Sequence, residues 1–132
     1  MKKKLFTVLL GLSVFLIIPT ANAKNMETGF VTSDQFTSEI VDRQPVNNIN
    51  SVQAGQQISF FTDIRNMEGQ TVTHRWIQEG EEIFSMQFHV GGNRWRVWTN
   101  KNIYDWNIGA IQVIVETEEG DILSQKTINV IE

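Results

Sequence analysis

Thr71-Val72-Thr73-His74-Arg75-Trp76-Ile77-Gln78, Glu82-Ile83-Phe84-Ser85-Met86-Gln87-Phe88-His89-Val90 and Arg94-Trp95-Arg96-Val97-Trp98-Thr99 follow one another, separated only by Glu79-Gly80, Glu81 and Gly91-Gly92-Asn93. Apolar and polar residues alternate with a period near two rather than 3.6, which is the pattern of half-buried strands. The short Gly-containing links predict a three-stranded meander, with Gly where tight hairpins favour positive φ. This stretch also holds three of the four Trp and both His.

The same period extends outward. Ile58, Phe60, Thr62 and Ile64 alternate with Ser59, Phe61 and Asp63, and Gly69 lies in the turn that follows. Ile111, Val113 and Val115 alternate with Gln112, Ile114 and Glu116, and Glu119-Gly120-Asp121 turns the chain into Ile122 to Ile131. Upstream, Phe36 to Asp42 reads as a first strand ended near Pro45, with 46–51 as a polar connection. About seven short strands with turn signals roughly every ten residues point to an all-β, immunoglobulin-like antiparallel β-sandwich. A small β-barrel is the alternative, since spacing does not decide closure.

Met1-Lys2-Lys3-Lys4 is a basic start, Leu5 to Ile18 an apolar run, and Ala21-Asn22-Ala23 a small-x-small cleavage signal. The run of about 14 residues falls short of the roughly 20 a spanning helix needs. Residues 1–23 are therefore expected to be a signal peptide rather than a retained anchor, 24–34 a flexible leader, and 35–132 a single β-sandwich domain. The expected location is periplasmic or secreted, with no stable membrane span after cleavage. The chain has no Cys, so neither a disulfide nor a lipid-bearing Cys is available. Cleavage would remove three Lys and leave eight basic against fifteen acidic residues, a net charge of −7. That balance argues against nucleic acid as a partner, because phosphate binding needs many Lys and Arg.

On the strand beginning at Arg94, the residues Trp95, Val97 and Thr99 share one face and Arg94, Arg96 and Trp98 the other. The second set, with Arg75 two strands away, is the candidate binding site. Guanidiniums beside an aromatic ring can stack a sugar ring or ligand face and grip a carboxylate or phosphate. The structural alternative is cross-strand packing, with Arg stems over Trp98 and their heads paired to acids. His74 shares a face with Val72 and Trp76 and reads as a hydrogen-bonded core residue; a pH-responsive contact is the alternative. Two His without Cys make a weak zinc signal, so neither metal nor cofactor is expected. The acidic turns 79–82 and 116–121 lack the pattern of a calcium loop and read as solvated turns. Trp106 is either a plug under its loop or exposed.

No catalytic site is expected. There is no Cys, no Ser in a nucleophile elbow and nothing that selects a pair of carboxylates, and Gly91-Gly92 leads into a strand rather than a phosphate-cradling helix. The blocks Asp42-Arg43-Gln44-Pro45-Val46, Phe60-Phe61-Thr62, Met67-Glu68-Gly69, Thr73-His74-Arg75-Trp76, Val90-Gly91-Gly92 and Arg94-Trp95-Arg96-Val97-Trp98 closely resemble a bacterial domain-of-unknown-function family, family 2914. The resemblance runs from Phe36 over nearly all of the mature chain. It implies a small β-rich domain of exported or membrane-attached bacterial proteins, without an assigned activity. One departure is that the family's Gly-x-Trp near the penultimate strand stands here as Gly109-Ala110-Ile111. The expected function is an exported non-catalytic domain that binds an envelope protein or glycan through the Arg/Trp face. The alternatives are a purely structural domain and, less favoured, an envelope hydrolase.

Overall fold

A computed structural model describes residues 28–132, so the signal segment lies outside the described residues. The strands are β1 (Phe30–Thr37), β2 (Ile40–Val41), β3 (Gln44–Pro45), β4 (Ser51–Gln53), β5 (Gln57–Arg65), β6 (Thr71–Gln78), β7 (Glu81–His89), β8 (Arg94–Asn102), β9 (Gly109–Thr117) and β10 (Ile122–Ile131). Seven are long, and six of them, β5 to β10, match the periodic segments of the sequence. They form a three-stranded sheet, β1-β5-β8, and a five-stranded sheet, β4-β10-β9-β6-β7. Neither sheet closes into a barrel. Pairing is antiparallel except for β4, which lies parallel to β10. This order, with the chain leaving the larger sheet after β7, is that of an immunoglobulin-like β-sandwich.

The core follows from the alternation. Phe36, Ile58, Phe60 and Ile64 of the small sheet and Val72, Trp76, Ile111, Val113, Val115 and Ile128 of the large one are buried between the layers. Phe36 meets Phe60 and Trp76 edge-on, at centroid distances of 4.8 and 5.8 Å. Such contacts add to the area these rings withdraw from water. On the β1 flank, Ser124 of β10 donates a hydrogen bond to Asp34, tying the two sheets together. At the opposite flank, β7 and β8 are both sheet edges.

Three expectations change. First, β6 and β7 do form a hairpin, with Glu79 (φ 52°) and Gly80 (φ 81°) at its tip. The link from Val90 to Asn93, however, carries the chain across to the other sheet, so there is no three-stranded meander. Gly91 adopts no left-handed φ. Its role is steric: a Cβ there would lie 2.8 Å from the Trp95 ring, so the missing side chain lets that indole pack over the crossover. Second, Phe30 to Asp34, expected within a flexible leader, form the first part of β1 and pair with β5. A buried central strand needs a partner on each side, and this polar stretch supplies one. Third, the first strand ends at Thr37 rather than Asp42. Beyond it, β2 and β3 form a small hairpin turned by Asp42 and Arg43, both at positive φ.

Candidate functional site

The outward face of the small sheet is built by register. Against β5, Arg94 lies opposite Arg65, Arg96 opposite Asp63, and Trp98 opposite Phe61. Val97 and Thr99 are buried on the inward face, as alternation requires. The Asp63 side chain is only 7% exposed although it points away from the core. Arg65 donates to it through Nε (3.0 Å) and Nη2 (3.3 Å), and Arg94 through Nε (3.2 Å) and Nη2 (3.0 Å). Burial pushes this carboxyl's pKa up, but the hydrogen bonds and charges of Arg65 and Arg94 together outweigh it and hold the pKa below the usual carboxylate value. Arg94 is thus committed to a structural clamp.

Arg96 is in a different position. It borders a cleft of about 330 Å³ shared with Gln35, Pro45, Phe61 and Asp63, where the β2–β3 hairpin flanks the sheet. It also borders a shallow apolar depression of about 280 Å³ formed with Phe88, Trp95 and Trp98. No described residue hydrogen-bonds or ion-pairs with its guanidinium. The cation–π contact found among the described residues is Lys101 over the Tyr104 ring, at 5.7 Å, not an Arg over Trp98. A free guanidinium next to a half-buried indole, with a clamped carboxylate behind it, suits a ligand that offers a carboxylate and an apolar surface.

Arg75 does not join this site. It lies on β6 in the other sheet, where Nε donates to Glu82 (3.0 Å) and Nη1 to Glu116 (3.1 Å). Those two bonds raise its pKa further. The physical reason is the crossover after β7, which separates β6 from β8. Asp63 and Arg65 went unnoticed in the sequence. Their signal is an acid and an arginine two residues apart on the outward side of β5, legible only with the β5–β8 register that brings Arg94 alongside.

His74 is fully buried between the sheets, as its face predicted. Its Nε2 lies 2.9 Å from the Thr62 hydroxyl and its Nδ1 3.1 Å from that of Thr99, which also accepts from the Trp76 indole at 3.0 Å. The rings of Phe60 and Phe88 meet it edge-on. Either neutral tautomer satisfies both hydroxyls, because a hydroxyl both donates and accepts. Burial pushes the imidazole pKa down to about 3, so the ring is neutral at physiological pH. In a Cys-free sandwich this network links the two sheets through polar contacts where a disulfide is absent.

Among the described residues, no three His, Asp or Glu side chains group as metal ligands, and no helix is long and apolar enough to cross a membrane. A family model described as "Protein of unknown function (DUF2914)" matches residues 69–130, just under half of the chain. The match begins at Gly69, later than the resemblance read from Phe36. No curated protein matches the sequence. Among solved structures, the Pseudomonas fluorescens alkylpurine DNA glycosylase AlkC, bound to DNA containing an abasic site analog, is similar in fold. The TM-score is 0.52 at 11% identity, over 79% of this chain and 30% of the glycosylase.

Proposed function

We propose that this chain, whose residues 69–130 match the DUF2914 family of unknown function, is an exported, non-catalytic binding domain. It engages an envelope protein or glycan through the outward face of the small sheet, and the group it grips there is a carboxylate. One observation carries this reading: among the described residues Arg96 is the arginine of that face without a partner, and it stands where a polar cleft and an apolar depression meet. Its cross-strand neighbour Asp63 is already neutralised by Arg65 and Arg94 and does not compete for it. Nucleic acid is a poor fit. The glycosylase is a likeness of fold alone, and eight basic against fifteen acidic residues after removal of 1–23 oppose phosphate binding.

The second reading is a structural domain, favoured by the Arg65-Asp63-Arg94 clamp. One comparison separates the two. Immobilised acidic peptides and carboxylate-bearing glycans are presented to the full chain and to Arg96→Ala. Capture by the wild type that is lost in Arg96→Ala, at an unchanged melting temperature, supports binding. Capture unchanged in the variant, or no capture at all, leaves the structural reading.

A further inference from the structure

The 3-10 turn Asp105–Asn107 between β8 and β9 holds Trp106 with 77% of its surface exposed. The next most exposed large apolar side chain among the described residues is Ile122, at 56%. The turn that displays this indole is held in place. Asn107 is 3% exposed; its Oδ1 accepts from the Tyr104 N–H at 3.0 Å, and its amide donates to Gln78 Oε1 at 3.2 Å. Gln78 in return donates to the Asn107 carbonyl at 2.8 Å. Tyr104 stacks on Trp106 with centroids 4.6 Å apart and planes 17° from parallel. Between this turn and the β6–β7 hairpin tip lies a cleft of about 460 Å³, lined by Gln78, Glu79, Glu81, Lys101, Trp106 and Asn107. Tyr104 is not part of the lining, so it backs the indole.

We propose that this cleft is a saccharide site, seating the C–H face of a neutral pyranose on Trp106 and holding its hydroxyls with Glu79, Glu81 and Gln78. A sugar ring has apolar faces and a rim of hydroxyls that donate and accept. It is therefore matched by one aromatic surface with carboxylates and amides around it. The charges select against an anion, which would face Glu79 and Glu81. An aromatic cage for a cation is also missing, because one face of each ring is spent in the Tyr104–Trp106 stack and Lys101 already lies over Tyr104. The volume falls in the usual range for small-ligand sites, about 300–1,000 Å³. The site shares no lining residue with the Arg96 clefts, so the two readings stand or fall separately.

The test titrates the full chain with a β-1,4-linked N-acetylglucosamine tetramer and with a β-1,4-linked glucose tetramer, following tryptophan fluorescence. A saturable blue shift is expected with at least one of them, with half-saturation below about 10 mM. Trp106→Ala is expected to abolish it without moving the melting temperature, Glu81→Gln to weaken it about tenfold, and Arg96→Ala to leave it intact. No saturable shift with either tetramer overturns the proposal. So does a shift that survives both Trp106→Ala and Glu81→Gln, or saturation by a Lys-rich peptide in place of the sugars.

Discussion

The two faces of residues 71–99 obey different rules. Inward, each polar atom is matched: His74 holds both Thr62 and Thr99, and the Trp76 indole donates to Thr99. Outward, one residue type has two fates, since Arg75 is gripped by Glu82 and Glu116 while Arg96 has no partner among the described residues. A buried polar group without a partner costs free energy, so the inward face cannot leave one unmatched. The solvent side can, because water satisfies an exposed guanidinium. Saturation therefore marks structure, and an unmatched group on the outward face marks surface available to something else.

The strongest attempt to break this contrast removes the inward anchor. Trp76→Ala opens a cavity between the sheets and removes one of the two bonds at the Thr99 hydroxyl, and a loss of about 3–5 kcal/mol is expected in urea unfolding. A loss below about 1 kcal/mol would mean that the layers do not depend on the inward network.

Acid probes the same network without mutation. The ordinary imidazole value is 6.5 and burial takes His74 to about 3, so as pH falls below 6.5 the unfolded chain takes up a proton that the folded chain refuses. Stability present above pH 6.5 is lost progressively down to about pH 3, with a slope approaching about 1.4 kcal/mol per pH unit. Asp63 acts in the same direction at lower pH, because its folded pKa lies below 3.8 and its contribution disappears as pH falls through that depressed value. Urea midpoints at about pH 7, 6 and 5 fall where the unfolded imidazole takes up its proton and the Asp63 carboxyl is ionised in both states, so they follow the His74 contribution. His74→Gln should flatten the slope; an unchanged slope in that variant would assign it elsewhere.

The smallest effects sharpen the outward contrast. Arg75→Met removes two ion pairs from a side chain that is 34% exposed, so solvent screening limits the loss to about 1 kcal/mol or less. Arg96→Met breaks no pair and should stay within about 0.5 kcal/mol of wild type. If Arg96→Met proved the more destabilising of the two, the view of Arg96 as an uncommitted group would fail.

Much of this was legible in the linear chain. Period two located six of the seven long strands, β5 to β10, the polar first half of β1 carrying no such signal, and it assigned the faces of β8 correctly. It also placed His74 with Val72 and Trp76 on a core stripe. The Gly91-Gly92 link was misread because a tight hairpin and a crossover both call for small residues; what distinguishes them is the Trp95 indole packed over Gly91, a contact that requires the fold. Read as a hairpin, the link places Arg75 in the same sheet as Arg96, two strands away. Trp106 was undecidable for a related reason, since its exposure depends on the Asn107–Gln78 bonds between residues 29 apart.

The sequence by itself determined the local alternation, and with it which side chains on each strand face water and which face the core. Backbone pleating makes that choice residue by residue. Only the tertiary structure decided which strands share a sheet, and hence that Asp63 draws Arg94 away, that Arg75 belongs to another surface and that Arg96 is left over. Those outcomes depend on register and crossover between distant segments, where side chains a few ångströms apart in space are separated by tens of residues along the chain.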